Sequence, residues 1–153
     1  MLDASFRKGP DIRAFALDDM PWMRAWQPEA LVLPLDLALS LADQKHRGLF
    51  ALPSLNTAII VLTSFDDSPL AEHHRDLLWA AFGVPIFEQL LGSEGTVIAR
   101  ECEVHDGLHL QSDEPFYLSA DVVTDPCACG LDTPRLRNRT PAPRVKAAAG
   151  GRV

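Results

Sequence analysis

The sequence predicts one α/β domain with α+β character: a short βαβ unit followed by a small antiparallel meander and a basic tail. Three observations carry this. Helical spacing of apolar residues alternates with a β-branched run in the first half of the chain. Short apolar segments separated by turn residues fill the second half. The last stretch has Pro, Gly and Ala and no periodicity. With 153 residues and 47% hydrophobic content the chain is long enough for a real core. We place the domain at 1–137 and a disordered tail at 138–153.

The elements follow in order. Asp11 to Ala16 is a candidate for the start of a short helix. The Asp18–Trp26 stretch, with Pro21, Trp22 and Trp26, reads as an aromatic-rich turn or a short helix after the proline. Leu35 to Arg47 is expected to be helical, with Leu35, Leu39, Ala42 and His46 on one stripe and Gly48 as the stop. Thr57–Thr63 has the β-branched density of a strand buried on both faces. Ser68 and Pro69 suit the N-cap and first position of a second helix running to Phe82, with Leu70, Leu77, Leu78 and Ala81 inward and Gly83 as terminator. Val84–Leu91, Thr96–Cys102, Leu108–Gln111 and Phe116–Val123 are strand-like, with turns at Gly92/Gly95, Asp106-Gly107 and Asp113–Pro115.

The formal charge of −7 is uneven. From Leu131 onward six basic residues (Arg135, Arg137, Arg139, Arg144, Lys146, Arg152) face one acid, Asp132, so that stretch is +5 and the rest −12. Such a tail can meet nucleic acid or an acidic partner. It has no aromatic residue to stack on bases, so a solvated end is the expectation and nucleic acid is not an expected partner. Apolar runs such as Thr57–Thr63 are far too short to span a bilayer, so no membrane partner is expected. The N-terminus lacks an apolar stretch that would serve as a signal peptide. With an odd number of cysteines this points to the cytoplasm, where clustered thiols signal metal or redox chemistry more often than disulfides.

All three cysteines lie late in the chain. Cys102 stands near His105 and His109, and Cys127 and Cys129 form a Cys-x-Cys pair before Gly130. Thiolate and imidazole are what Zn²⁺ prefers, and four such groups complete a closed tetrahedral site. Three thiols are available, with His105 at Cys-x-x-His spacing or His109 as the fourth ligand. The bland alternative is a buried Cys102 and two loop thiols. The Cys-x-Cys spacing does not match the redox Cys-x-x-Cys pattern. His73 and His74 are adjacent on a helix and point about 100° apart, which suits boundary residues better than a shared metal. Ser93-Glu94 sits in a glycine turn, where the carboxylate is either solvated or a Mg²⁺ ligand. No nucleophile-elbow, dinucleotide-binding or His-Glu-x-x-His motif occurs.

Several pieces resemble one family when taken in order. They are Ile59–Ser64, Ser68-Pro69-Leu70, Phe82-Gly83-Val84-Pro85-Ile86-Phe87-Glu88, Ser93-Glu94, Ile98–Cys102, Asp106–His109, Cys127–Gly130 and Thr133-Pro134-Arg135-Leu136. Across residues 50–137 the chain resembles the end of the large domain of the phenylacetate–CoA ligase family of adenylate-forming enzymes. The resemblance implies Cys102, His109, Cys127 and Cys129 as the preferred ligand set for zinc. It implies Ser93 and Glu94 as the cofactor-binding pair beside ATP and Mg²⁺. The departures are as informative. The family's phosphate loop is missing, Leu90-Leu91 replaces Tyr-Gly, and neither the ribose-binding Arg-x-x-Gly-Asp segment nor the mobile C-terminal domain with its lysine is recognised. The expectation is a truncated relative with no catalytic residue and no ligase activity alone, acting in binding or regulation toward a nucleotide, an acyl-CoA or a protein. One alternative is part of a split ligase completed by a partner ligase chain, for which a bare sheet edge beside Ile59–Leu62 would speak. Such an edge would also suit a homo-oligomer. Another is a metal-free interaction module.

Overall fold

In the computed structural model, residues 12–16, 19–111 and 121–141 are described. Helix α1 (Met20–Trp26) leads into strand β1 (Ala30–Pro34), then α2 (Leu35–His46), β2 (Ala58–Ser64) and α3 (Glu72–Phe82). Five strands follow: β3 (Ile86–Leu91), β4 (Val97–Glu101), β5 (Leu108–Leu110), β6 (Asp121–Val123) and β7 (Arg135–Arg137). All seven strands join one mixed sheet in the order β1-β2-β3-β4-β5-β7-β6.

The first three strands are parallel, with Leu31 beside Ile59 and Ile59 beside Ile86. Parallel neighbours need helical crossovers, and α2 and α3 supply them, packing on one another. The core between helices and sheet holds Leu33, Ile59, Val61, Ile86, Ala38, Leu41, Leu78 and Phe82. The remaining pairings are antiparallel, and a smaller cluster of Leu90, Ile98, Ala99, Leu108 and Leu136 sits beneath them.

Several expectations need correction. Ile12–Ala16 is not helical, while Asp11 lies outside the described residues. Strand β1 was not foreseen. Its short Leu-Val-Leu run between two prolines has no clear period, yet it pairs in parallel along β2 and becomes the terminal strand of the sheet. The buried stripe of α2 is Ala38, Leu41 and Ala42 rather than one centred on Leu35, Leu39 and His46. Helix α3 starts at Glu72, not Pro69. The Leu70 N–H donates instead to the buried Glu88 carboxylate (3.2 Å), and Ala71 stays extended. Leu77 faces solvent whereas Leu78 is fully buried. Strand β7 was missed, and it inserts between β5 and β6, so the second half is not a simple meander. Of the expected Phe116–Val123 strand, only Asp121–Val123 is described.

Arg139, expected in the solvated tail, is buried. Its guanidinium donates to the Ser64 and Asp67 carbonyls (3.0 and 2.9 Å), to Thr63 Oγ1 (3.2 Å) and to Glu88 Oε1 (2.7 Å). Arg144, Lys146 and Arg152 lie outside the described residues. Among the described residues no helix is long and apolar enough to cross a membrane.

Candidate metal centre

Four side chains from two stretches of the chain, 102–109 and 127–129, meet beside the antiparallel half of the sheet. Cys102 follows β4, His109 is the middle residue of β5, and Cys127 and Cys129 flank a turn closed by Gly130 at φ +86°. Gly130 tolerates that backbone because it has no Cβ. The ligand atoms of Cys102, His109, Cys127 and Cys129 all lie within 4.8 Å of one another. Cys102 Sγ is 3.8 Å from Cys127 Sγ, and Cys129 Sγ is 3.4 Å from His109 Nε2.

These spacings fit a tetrahedron. With Zn–S near 2.3 Å and Zn–N near 2.0 Å, the S···S edge is about 3.8 Å and the S···N edge about 3.5 Å. The three cysteines are free, and the Cys102–Cys127 separation is far above the roughly 2.05 Å of a disulfide. Cys102, His109 and Cys127 are buried and Cys129 half-buried. The four groups could hold one metal ion with every ligand supplied by protein.

The site has an organised surround. His109 Nδ1 is 2.9 Å from Thr133 Oγ1. When Nε2 faces a metal, Nδ1 carries the proton and donates to that hydroxyl, which fixes ring and tautomer. The thiols themselves have divergent proton affinities. The Cys129 backbone N–H leads the effects that hold Cys127 below its ordinary value. At Cys129 the Leu131 N–H favours the thiolate, but burial and the thiols of Cys127 and Cys102 outweigh it and push the group up to about 11. Crowded thiolates repel one another, and a divalent cation removes that conflict.

His105 is directed elsewhere. It sits at φ +56°, its Nδ1 is 3.1 Å from Glu101 Oε1, and its ring stacks on Phe87 with centroids 5.3 Å apart. Glu101 is itself pinned by Arg75 through paired contacts of 2.9 and 2.8 Å and by the Glu88 N–H at 2.8 Å. His109, and not His105, therefore lies among the thiols. His105 and Glu101 instead line a polar groove of about 690 Å³, shared with Arg75, Trp79, Arg137 and Arg139.

Ser93 and Glu94 are exposed in the β3–β4 turn, and neither joins the metal cluster or the groove. The rings of His73 and His74 lie 3.9 Å apart, closer than their helical directions suggested. Partial burial and then the neighbouring His73 lower the His74 pKa, so it favours the neutral form.

Sequence reasoning missed Thr133, Arg135, Asp106 and Asp125 around the centre. A usable signal existed. Arg135, Arg137 and Arg139 alternate about the buried Leu136 with the period of a strand, which a charge count alone does not show.

No protein-family model matches this chain, and no curated protein matches it. Among solved structures it is similar to the crystal structure of an open conformation of 2-hydroxyisobutyryl-CoA ligase in complex with 2-HIB-AMP and CoA. The TM-score is 0.57 at 13% identity, and the match covers 80% of this chain and 36% of that chain. The likeness is one of fold, and this chain spans little more than a third of the ligase's length.

Proposed function

We propose that this protein is a ligase-like α/β module, related to the phenylacetate–CoA ligases, whose Cys102, His109, Cys127 and Cys129 hold one structural zinc ion. Its role is binding or regulation rather than acyl-CoA synthesis by the chain alone. The observation that carries the metal reading is the closed Cys₃His set, with edges of 3.8 and 3.4 Å, buried in a fold similar to part of an acyl-CoA ligase. Four protein ligands leave no open position for a water or substrate, which is the arrangement of a structural rather than a catalytic zinc. When bound, the ion cross-links the end of β4, strand β5 and the Cys127–Gly130 turn. Its binding energy then adds to folding energy. A reducing compartment such as the cytoplasm keeps these thiols available.

Magnesium–ATP chemistry at Ser93 and Glu94 is not part of this reading, because the exposed pair has no phosphate loop in this chain to work with. A nucleotide or an acyl-CoA remains the ligand class suggested by the family resemblance. A second reading, one part of a split acyl-CoA or acyl-adenylate ligase, draws on the 36% coverage of the solved ligase. On that side of the sheet the terminal strand is β1, which pairs along β2.

Elemental analysis of protein purified without a metal-affinity tag tests the metal. We expect about one zinc per chain. A ratio near zero, with all three thiols freely titratable in the native protein, would remove the proposal. Pyrophosphate exchange with ATP and phenylacetate on the isolated chain should give nothing, and robust exchange would overturn the non-ligase reading.

A further inference from the structure

The two ligand-bearing segments are separated by a gap in sequence, and one side chain closes it. Arg135, on β7, is 1% exposed. Its Nη1 donates to the Asp106 carbonyl at 3.0 Å and to the Asp106 carboxylate. Its Nη2 donates to the Asp125 carbonyl at 3.1 Å and to Asp125 Oδ1 at 3.0 Å. Asp106 lies between Cys102 and His109, and Asp125 lies two residues before Cys127. One planar fork therefore grips both approaches to the metal cluster, each by a backbone and a side-chain oxygen.

The backbone registers reinforce this placement. Arg135 pairs with His109 across β5–β7 and with Val123 across β6–β7. It thus lies beside the cluster residue His109 on one side and, on the other, beside the last residue of the strand that leads toward Cys127. Gly107 lets the loop approach closely, since a Cβ there would lie 2.7 Å from the Leu136 carbonyl oxygen.

We propose that Arg135 is the positioning residue of the metal centre, holding the Cys102–His109 loop and the Cys127–Cys129 turn at ligand spacing before any ion arrives. This deepens the zinc reading and rests on it. The physical reason is preorganisation. Without the clamp, metal binding must also order two loops and lock them together. A lysine would keep the charge but offers a single point donor, and it cannot bridge two oxygen pairs as the guanidinium fork does. Residues that orient ligands in this way typically change metal affinity by about 10–100-fold when replaced.

The test uses the full chain, first stripped of metal and then titrated with Zn²⁺ against a chromophoric chelator, with Co²⁺ absorption as a second readout. Arg135→Lys is expected to bind Zn²⁺ about 10–100-fold more weakly than the natural protein. Its Co²⁺ complex should show altered thiolate charge-transfer and d–d bands, which a loss of general stability would not produce. Asp125→Ala removes one arm at an exposed carboxylate and should weaken binding less than Arg135→Lys, which keeps the inference testable if the arginine variant does not fold. Natural protein that binds Zn²⁺ tightly, with both variants binding equally tightly and giving the same Co²⁺ spectrum, would overturn the positioning role and leave the zinc reading intact. Natural protein that binds no Zn²⁺ would overturn both.

Discussion

Arg139 and Glu88, 51 positions apart in the chain, form an ion pair at 2.7 Å with their side chains only 3% and 5% exposed. Glu88 also takes the Thr63 hydroxyl at 2.7 Å and the Leu70 N–H at 3.2 Å. The pair ties the chain beyond β7 to β3, and the same carboxylate holds the Leu70 N–H just ahead of α3.

Removing one partner of a buried pair strands the other charge. Arg139→Met should therefore cost about 3–5 kcal/mol in urea unfolding, and Arg139→Met with Glu88→Gln should cost clearly less than the sum of the singles. Truncation after Arg137 should be as damaging as Arg139→Met. A truncated chain as stable as the full one would show that the pair contributes nothing.

The two histidines of the Cys102 segment should separate by zinc content. His109→Ala removes the buried imidazole of the thiol cluster and should lose the metal and melt earlier. His105→Ala should retain about one zinc per chain, because that ring is engaged with Glu101 and Phe87. Equal zinc loss in both variants would contradict the assignment.

Asp106 supplies a pH dependence. The Arg137 guanidinium, opposed by desolvation and joined by Arg135, holds its carboxyl below the ordinary 3.8. A carboxylate depressed on folding stabilises the native state above its unfolded value, and that stabilisation is lost as pH falls through the lower folded value. Asp106→Asn should thus be less stable than the natural protein at neutral pH. The gap should narrow below about pH 4. A gap constant down to pH 2 in denaturant titrations would remove this ionic contribution.

Helix α3 offers a packing contrast between neighbours. Leu78 is 0% exposed and Leu77 57%. Leu78→Ala should cost about 2–5 kcal/mol from lost burial and the cavity left behind. Leu77→Ala should stay within about 0.5 kcal/mol, as surface changes do. Thermal and urea unfolding of the two variants measure the difference directly.

The sequence alone determined what depends on local pattern and chemical type. The β-branched run around Ile59–Leu62, the glycine stop at Gly83 and the spaced apolar segments after it specify the mixed sheet, because periodicity and turn chemistry are properties of neighbouring residues. The donor inventory was equally legible, since thiols and imidazoles announce themselves by type. Tertiary structure decided everything that depends on pairing across distance. It brought β1 to the edge of β2 and β7 between β5 and β6, and it turned Arg135 and Arg139 from apparent tail charges into buried clamps. It also chose His109 over His105. Both stand close to Cys102 in sequence, but β5 carries one ring into the thiol cluster while the turn before it sends the other toward Glu101.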